Sequence, residues 1–155
     1  MKAFLDTSVL VAGLIDFGPQ SAPSQLVMQS VADRRVDALT AWHCCLEFYS
    51  GATRLPPEFR LTPNDAVRLL GEEVFARMTV HDLPADERRP LLQTVATDGV
   101  VGGRVYDAHI GEIARSSRAD VVVTDNRRHF LSALRYGLRV ETPGEFLAGL
   151  KKRAR

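Results

Sequence analysis

Val121-Val122-Val123-Thr124 is an unbroken β-branched run, and it constrains the fold more than any other stretch of the chain. Branching at Cβ restricts χ1 and favours strand over helix. A run with no polar alternation also suits a strand covered on both faces, as in a parallel sheet. Parallel strands need long crossover connections, usually helices. Two more apolar runs, Ala3-Phe4-Leu5 and Val36 to Ala41, are separated by amphipathic stretches of about 10 to 18 residues, the alternation that predicts an α/β fold. We expect a parallel sheet of about four or five strands flanked by helices.

Helix starts are marked well. Thr62-Pro63-Asn64-Asp65 and Thr142-Pro143-Gly144-Glu145 each place a hydroxyl cap, a proline at the first helical position and an acid three residues after the cap. A short strand, Arg139-Val140-Glu141, should precede the final helix. Gly99 to Gly103 reads as a loop inside one domain. Leu55 to Asp98 is rich in helix signals, with Leu69, Leu70, Val74 and Phe75 near helical spacing and Pro84 and Pro90 bracketing Ala85 to Arg89. Residues 1–150 are expected to form a single domain, and residues 151–155 (Lys-Lys-Arg-Ala-Arg) a solvated basic C-terminal tail.

Bulk properties exclude several classes. At 155 residues, 45% hydrophobic and 25% charged, the chain can bury one core. Lys+Arg 20 against Asp+Glu 19 leaves a net charge of +1, so no global field announces a nucleic acid or a membrane. No apolar run approaches the ~18 residues of a membrane span, and Asp6 interrupts the N-terminus before a signal-peptide core could form. Cys44 and Cys45 are adjacent, with poor geometry for pairing, and read as buried thiols of a reducing cytoplasm.

Acids mark the strand ends. In an open parallel sheet, ligands bind beyond the carboxyl ends of the strands. Asp6 and Asp125 each follow an apolar run, while Glu47 and Asp107 sit among apolar neighbours. Taken singly, each has a plainer role: a cap for Asp6, a first-turn acid worth about 0.3–1 kcal/mol for Asp107, an exposed helix face for Glu47. Taken together they would repel. At ~5 Å and an effective dielectric of ~20, each close pair costs about 3 kcal/mol. No lysine stands next to Asp6, Glu47 or Asp107, and hard divalent ions such as Mg²⁺ or Mn²⁺ prefer carboxylates. A metal site that activates water for phosphodiester hydrolysis is the economical explanation if the fold converges these residues.

The stretches "FLDTSVLVAGL", Glu47, "GGRVYDAHIGEIAR" and "ADVVVTDNRRHF" together resemble the PIN-domain ribonucleases, and within them the VapC toxins of bacterial type II toxin–antitoxin pairs. The order and spacing of these pieces cover nearly the whole chain. The resemblance implies a Rossmann-like, PIN-like sheet, Mg²⁺- or Mn²⁺-dependent endoribonuclease activity, a homodimer, and neutralisation by a cognate VapB-like antitoxin. By position it makes Asp6 and Asp107 the principal metal ligands, with Glu47 completing the set or orienting its water. Ser8 and Thr124 match positions of small polar side chains near the site and are candidate substrate contacts. The family's fourth polar ligand commonly stands two residues after the threonine, where this chain has Asn126. Asp125 stands one residue after it and carries the charge, so we assign the fourth position to Asp125 with Asn126 as the competing ligand.

Arg127, Arg128 and His129 follow at once and could meet RNA phosphates. The histidines form no catalytic set, and we assign His43, His81 and His109 structural or surface roles. Trp42 is expected to pack its helix to the sheet or to line a dimer face, and the apolar middle segment to receive the antitoxin. A catalytically silent PIN-like module that binds RNA or protein is the alternative, and loss of the acids would be its signature. Asp6, Glu47 and Asp107 are all present.

Overall fold

A computed structural model describes residues 1–153, excluding the side chains at 131–133, 135, 136 and 153. Five parallel strands form one sheet: β1 (Lys2–Leu5), β2 (Asp37–Ala41), β3 (Thr79–His81), β4 (Val121–Val123) and β5 (Arg139–Glu141), in the order β3-β2-β1-β4-β5. The connections carry α1 (Thr7–Leu14), α2 (Ala22–Ala32), α3 (Trp42–Ala52), α4 (Pro63–Leu69), α5 (Ala85–Thr97) and α6 (Arg104–Ser116), and α7 (Pro143–Arg153) closes the chain. The expected α/β class and strand number hold. α7 takes in the first three basic residues of the expected tail, and residues 154–155 lie outside the described residues.

The marked helix starts behave as their chemistry dictates. Thr62 Oγ1 accepts from the Asp65 backbone N–H at 3.1 Å. At α7, Thr142 and Glu145 exchange bonds, the Thr142 N–H to Glu145 Oε2 at 2.8 Å and the Glu145 N–H to Thr142 Oγ1 at 3.3 Å.

Two features differ from the sequence reading. β3 is a strand where none was expected: three residues at the sheet edge, with Thr79 paired to Leu39, are too few to show a period of two. Pro90 lies inside α5 rather than closing a segment. Its ring removes the bond to the Asp86 carbonyl, which belongs to the exposed first turn where water can satisfy it. After α4 the chain continues as a π-helical turn, Leu70–Phe75, which buries Leu70 and Val74 but leaves Phe75 exposed.

The core gathers Phe4, Leu5, Phe48, Val122, Phe130 and Phe146 between sheet and helices. Gly13 lets α1 and α2 meet closely: a Cβ there would collide with Met28 and stand 3.1 Å from the Ser24 carbonyl. What positions a site is the strand order. β1 is central, and the chain leaves it on one side toward β2 and returns on the other at β4. Connections diverge at that switch point and open a crevice beyond the carboxyl ends of β1 and β4. Leu5 is in register with Val123, so Asp6 and Thr124 emerge side by side.

Candidate active site

Asp6 caps α1 with its backbone alone, its carbonyl accepting the Val9 and Leu10 N–H groups at 3.0 and 3.2 Å, and its side chain makes no capping bond. The carboxylate turns to the crevice. Its Oδ2 accepts from Ser8 Oγ at 2.9 Å and from Thr124 Oγ1 at 2.8 Å. Burial pushes the carboxyl above its ordinary range, and these hydroxyls pull it partly back. Among the described residues no lysine, arginine or histidine pairs with it.

The same hydroxyls fasten the end of β4. Ser8 Oγ accepts the Asp125 N–H at 3.1 Å, and Thr124 Oγ1 accepts the Asn126 N–H at 3.0 Å. Thr124 is fully buried, so its contact is with Asp6 and the turn rather than with solvent. Asp125 and Asn126 stand at the exposed lip and both line the cleft. Partial desolvation there raises the Asp125 carboxyl.

Glu47 comes from the middle of α3 and is held at both oxygens. Thr7 Oγ1 donates to Oε2 at 2.5 Å, and His43 Nε2 stands 3.4 Å from Oε1, one helical turn away. His43 is itself stacked on Tyr106 with ring centroids 5.3 Å apart, and meets His109 edge-on at 5.3 Å. Asp107, in the first turn of α6, lies 3.3 Å from His129 Nδ1. Its carboxyl is raised, by burial first, with the Glu47 charge pushing the same way and His129 opposing.

One cleft of about 740 Å³ is lined by Asp6, Glu47, Asp107, Asp125 and Asn126, with Ser8 on its floor. Residues as far apart in sequence as Asp6 and Asn126 are thereby brought together. Among the described residues, no group of three or more His, Cys, Asp and Glu side chains already forms a metal cage. Glu47 and Asp107 instead lean on their imidazoles. The basic pair after β4 is placed differently from the acids. Arg127 bonds both oxygens of Glu145, at 2.9 and 3.2 Å, and neither Arg127 nor Arg128 lines the cleft. Three residues were given no part in the site from sequence: Thr7 and Arg54 on the cleft wall, the latter a cation, and His43 behind Glu47; His129, read with the arginines as an RNA contact, stands beside Asp107. The spacing of His43 from Glu47, and of Glu47 from Arg54 two turns on, was the available signal.

An acid-lined cleft at the switch point of a parallel sheet defines an α/β domain of the Rossmann-like class, with carboxylates in the place where such folds bind ligands. Residues 2–128 match the PIN domain family, and the chain belongs to that family. It is 35% identical over 91 residues to ribonuclease VapC27 of Mycobacterium tuberculosis (strain ATCC 25618 / H37Rv), a match covering 59% of this chain and 64% of the relative. It is 33% identical over 124 residues to ribonuclease VapC40 of Mycobacterium tuberculosis, covering 79% of this chain and 85% of that one. Among solved structures, DNA-bound VapBC of Salmonella typhimurium shares the fold, with a TM-score of 0.62 and 23% identity over 92% of this chain and 98% of its own.

Proposed function

We propose that this protein is a Mg²⁺- or Mn²⁺-dependent endoribonuclease acting as the toxin of a type II toxin–antitoxin pair. The observation that carries the reading is the convergence of Asp6, Glu47, Asp107 and Asp125, from four separate elements, on one cleft of a chain whose relatives are named ribonucleases.

The residues fit a divalent ion. The donors are all oxygen, the set that Mg²⁺ and Mn²⁺ favour. The buried carboxylate of Asp6 has hydroxyl partners but no cation among the described residues. Asp6, Glu47, Asp107 and Asp125 would hold the ion, with Asn126 competing for the last place. Bound there, it would supply a Lewis acid and a water of lowered pKa. The chain's own residues do the rest. Ser8 and Thr124 act as positioning residues that fix the Asp6 carboxylate, Thr7 and His43 fix that of Glu47, and His129 steadies Asp107. Hydrogen-bonded partners of this kind commonly contribute 10–100-fold, roughly, to metal affinity. In the reaction, water oxygen bonds to phosphorus and the bond to the 3′ oxygen breaks, leaving a 5′-phosphate and a 3′-hydroxyl.

Metal removal tests the reading directly. Purified protein is expected to cleave single-stranded or structured RNA in Mn²⁺ or Mg²⁺, to stop in excess EDTA, and to resume when the ion is restored. RNA left intact in both ions, or cut equally well in EDTA, sinks it.

The fourth ligand is separable by a Mn²⁺ titration of activity. Asp125→Ala is expected to raise the Mn²⁺ concentration for half-maximal cleavage by about 10–100-fold, and Asn126→Ala by less than about threefold, because a carboxylate brings a full charge and an amide does not. The reverse ranking would transfer the assignment to Asn126.

RNA, a VapB-like antitoxin and a second copy of the chain are the partners we assign. An exposed apolar face, where Trp42, Leu46, Tyr49, Val67 and Phe75 surround a hollow of about 210 Å³, supports protein partners. Among the described residues no helix is long and apolar enough to cross a membrane. Cys44 and Cys45 are free and buried, their thiols pushed up to about 12 and about 11, which keeps them protonated and inert and suits a cytoplasmic setting.

A further inference from the structure

We propose that Arg54 binds an RNA phosphate beside the scissile one, and so positions the substrate across the acid cleft; this rests on the ribonuclease reading of the same cleft. The need for such a residue is electrostatic. RNA is a polyanion, and this cleft presents four carboxylates. Even with an ion bound among them, phosphates flanking the reacting one meet the outer acids, and each uncompensated approach is repulsive. Some cation on the wall must attract the backbone.

The arginines after β4 do not meet that need. Arg127 is committed to Glu145 through two bonds, and neither it nor Arg128 lines the cleft. Among the described residues Arg54 is the one lysine or arginine that does. It lies two residues beyond the end of α3, and its Nε donates to the Ser50 carbonyl at 3.0 Å. That bond anchors the guanidinium at the negative end of the helix, where a cation is favoured. It uses Nε alone. The two terminal nitrogens carry no ion pair among the described residues, and their fork of N–H groups matches two phosphate oxygens. The anchoring also lowers the ordering cost of binding.

The surface between acid and cation is shaped to match. Glu47, Ser50, Gly51 and Arg54 recur at helical spacing and line the same cleft, so one face of α3, continued by the turn after it, runs from a carboxylate across two small residues to a guanidinium. A Cβ built on Gly51 meets nothing within 4 Å, which leaves the wall between them low and open. A ribose-phosphate unit can lie there. The face thus holds a reacting position at Glu47 and a binding position two helical turns on.

Steady-state cleavage of a short fluorescein-labelled single-stranded RNA in Mn²⁺ tests this. Arg54→Ala is expected to raise KM about tenfold with kcat within about twofold, the loss of one charge-assisted contact. The negative slope of log kcat/KM against log salt should flatten by about 0.7, one phosphate contact on a single strand. Arg54→Lys should keep the wild-type salt slope and recover part of the KM. Gly51→Leu, which adds bulk only to open space, should also raise KM while leaving the Mn²⁺-induced thermal shift intact. An unchanged KM and salt slope in Arg54→Ala, or a lowered Tm as its sole effect, makes Arg54 a helix cap and overturns the proposal. If the wild type cuts no RNA, anisotropy of the same RNA still decides: weaker binding by Arg54→Ala keeps the phosphate site without the nuclease, while binding unaffected by the change, or no binding at all, removes it.

Discussion

Asp6→Asn is expected to abolish RNA cleavage while raising the melting temperature of the metal-free protein. The two effects have one cause. Asp6 is buried, and desolvation raises its carboxyl above the ordinary 3.8 despite the Ser8 and Thr124 bonds. Between the unfolded value and the raised folded value the native chain holds more protons than the unfolded one, so stability falls as pH rises through that window. At neutral pH the ionised group therefore costs stability unless a cation offsets it. Asparagine keeps an oxygen for Ser8 and Thr124 and removes the charge, so melts in EDTA should show a higher Tm than wild type at pH 7 and convergence near pH 4. Cleavage should fall at least ~10³-fold, because metal-bound charge stabilisation is worth several kcal/mol and about 1.4 kcal/mol is a decade in rate. A variant that still cleaves within about tenfold of wild type, or that melts lower in EDTA, contradicts this account of Asp6.

Asp107→Asn should lose activity to a similar degree, about 10³-fold, with its Tm in EDTA within about 2 °C of wild type. The difference from Asp6 lies in exposure. Asp107 is in the first turn of α6 with its side chain 27% exposed and His129 beside it, so loss of charge removes an opposed set of small terms. Relief from Glu47 and from burial is countered by the lost imidazole contact. The Asp6→Asn, Asp107→Asn double variant should be hardly less active than either single one, since groups serving one ion are strongly non-additive. Multiplicative losses in the double variant would show instead that the two acids act independently.

The reach of the sequence can be judged residue by residue. Asp6 was legible because it interrupts an apolar run at a strand end, and Asp107 because the stretch around it is one of the more specific of the family. The choice between Asp125 and Asn126 was not. The chain leaves the sheet after Val123, alternation no longer assigns sides, and both residues reach the cleft. Arg127 read as an RNA contact because nothing local signals a partner 18 residues on, yet Glu145 takes it. His43 stood at the right spacing from Glu47, but only side-chain directions reveal that it and Thr7 hold the same carboxylate from two helices. β3 escaped notice for want of length, and Pro90 misled because a proline more often ends a helix than sits within one.

The central place of β1 also governs when during synthesis the cleft can exist. The hydroxyl of Thr124 that holds Asp6, and the lip carrying Asp125 and Asn126, follow the end of a strand made more than a hundred residues after Asp6 itself. At translation rates of about 5–20 residues per second, the emerging chain spends roughly 6–24 seconds with Asp6 exposed and its holder unmade. A nascent chain or a fragment ending before β4 therefore has no assembled site. Completion of the fold and onset of activity are a single late event.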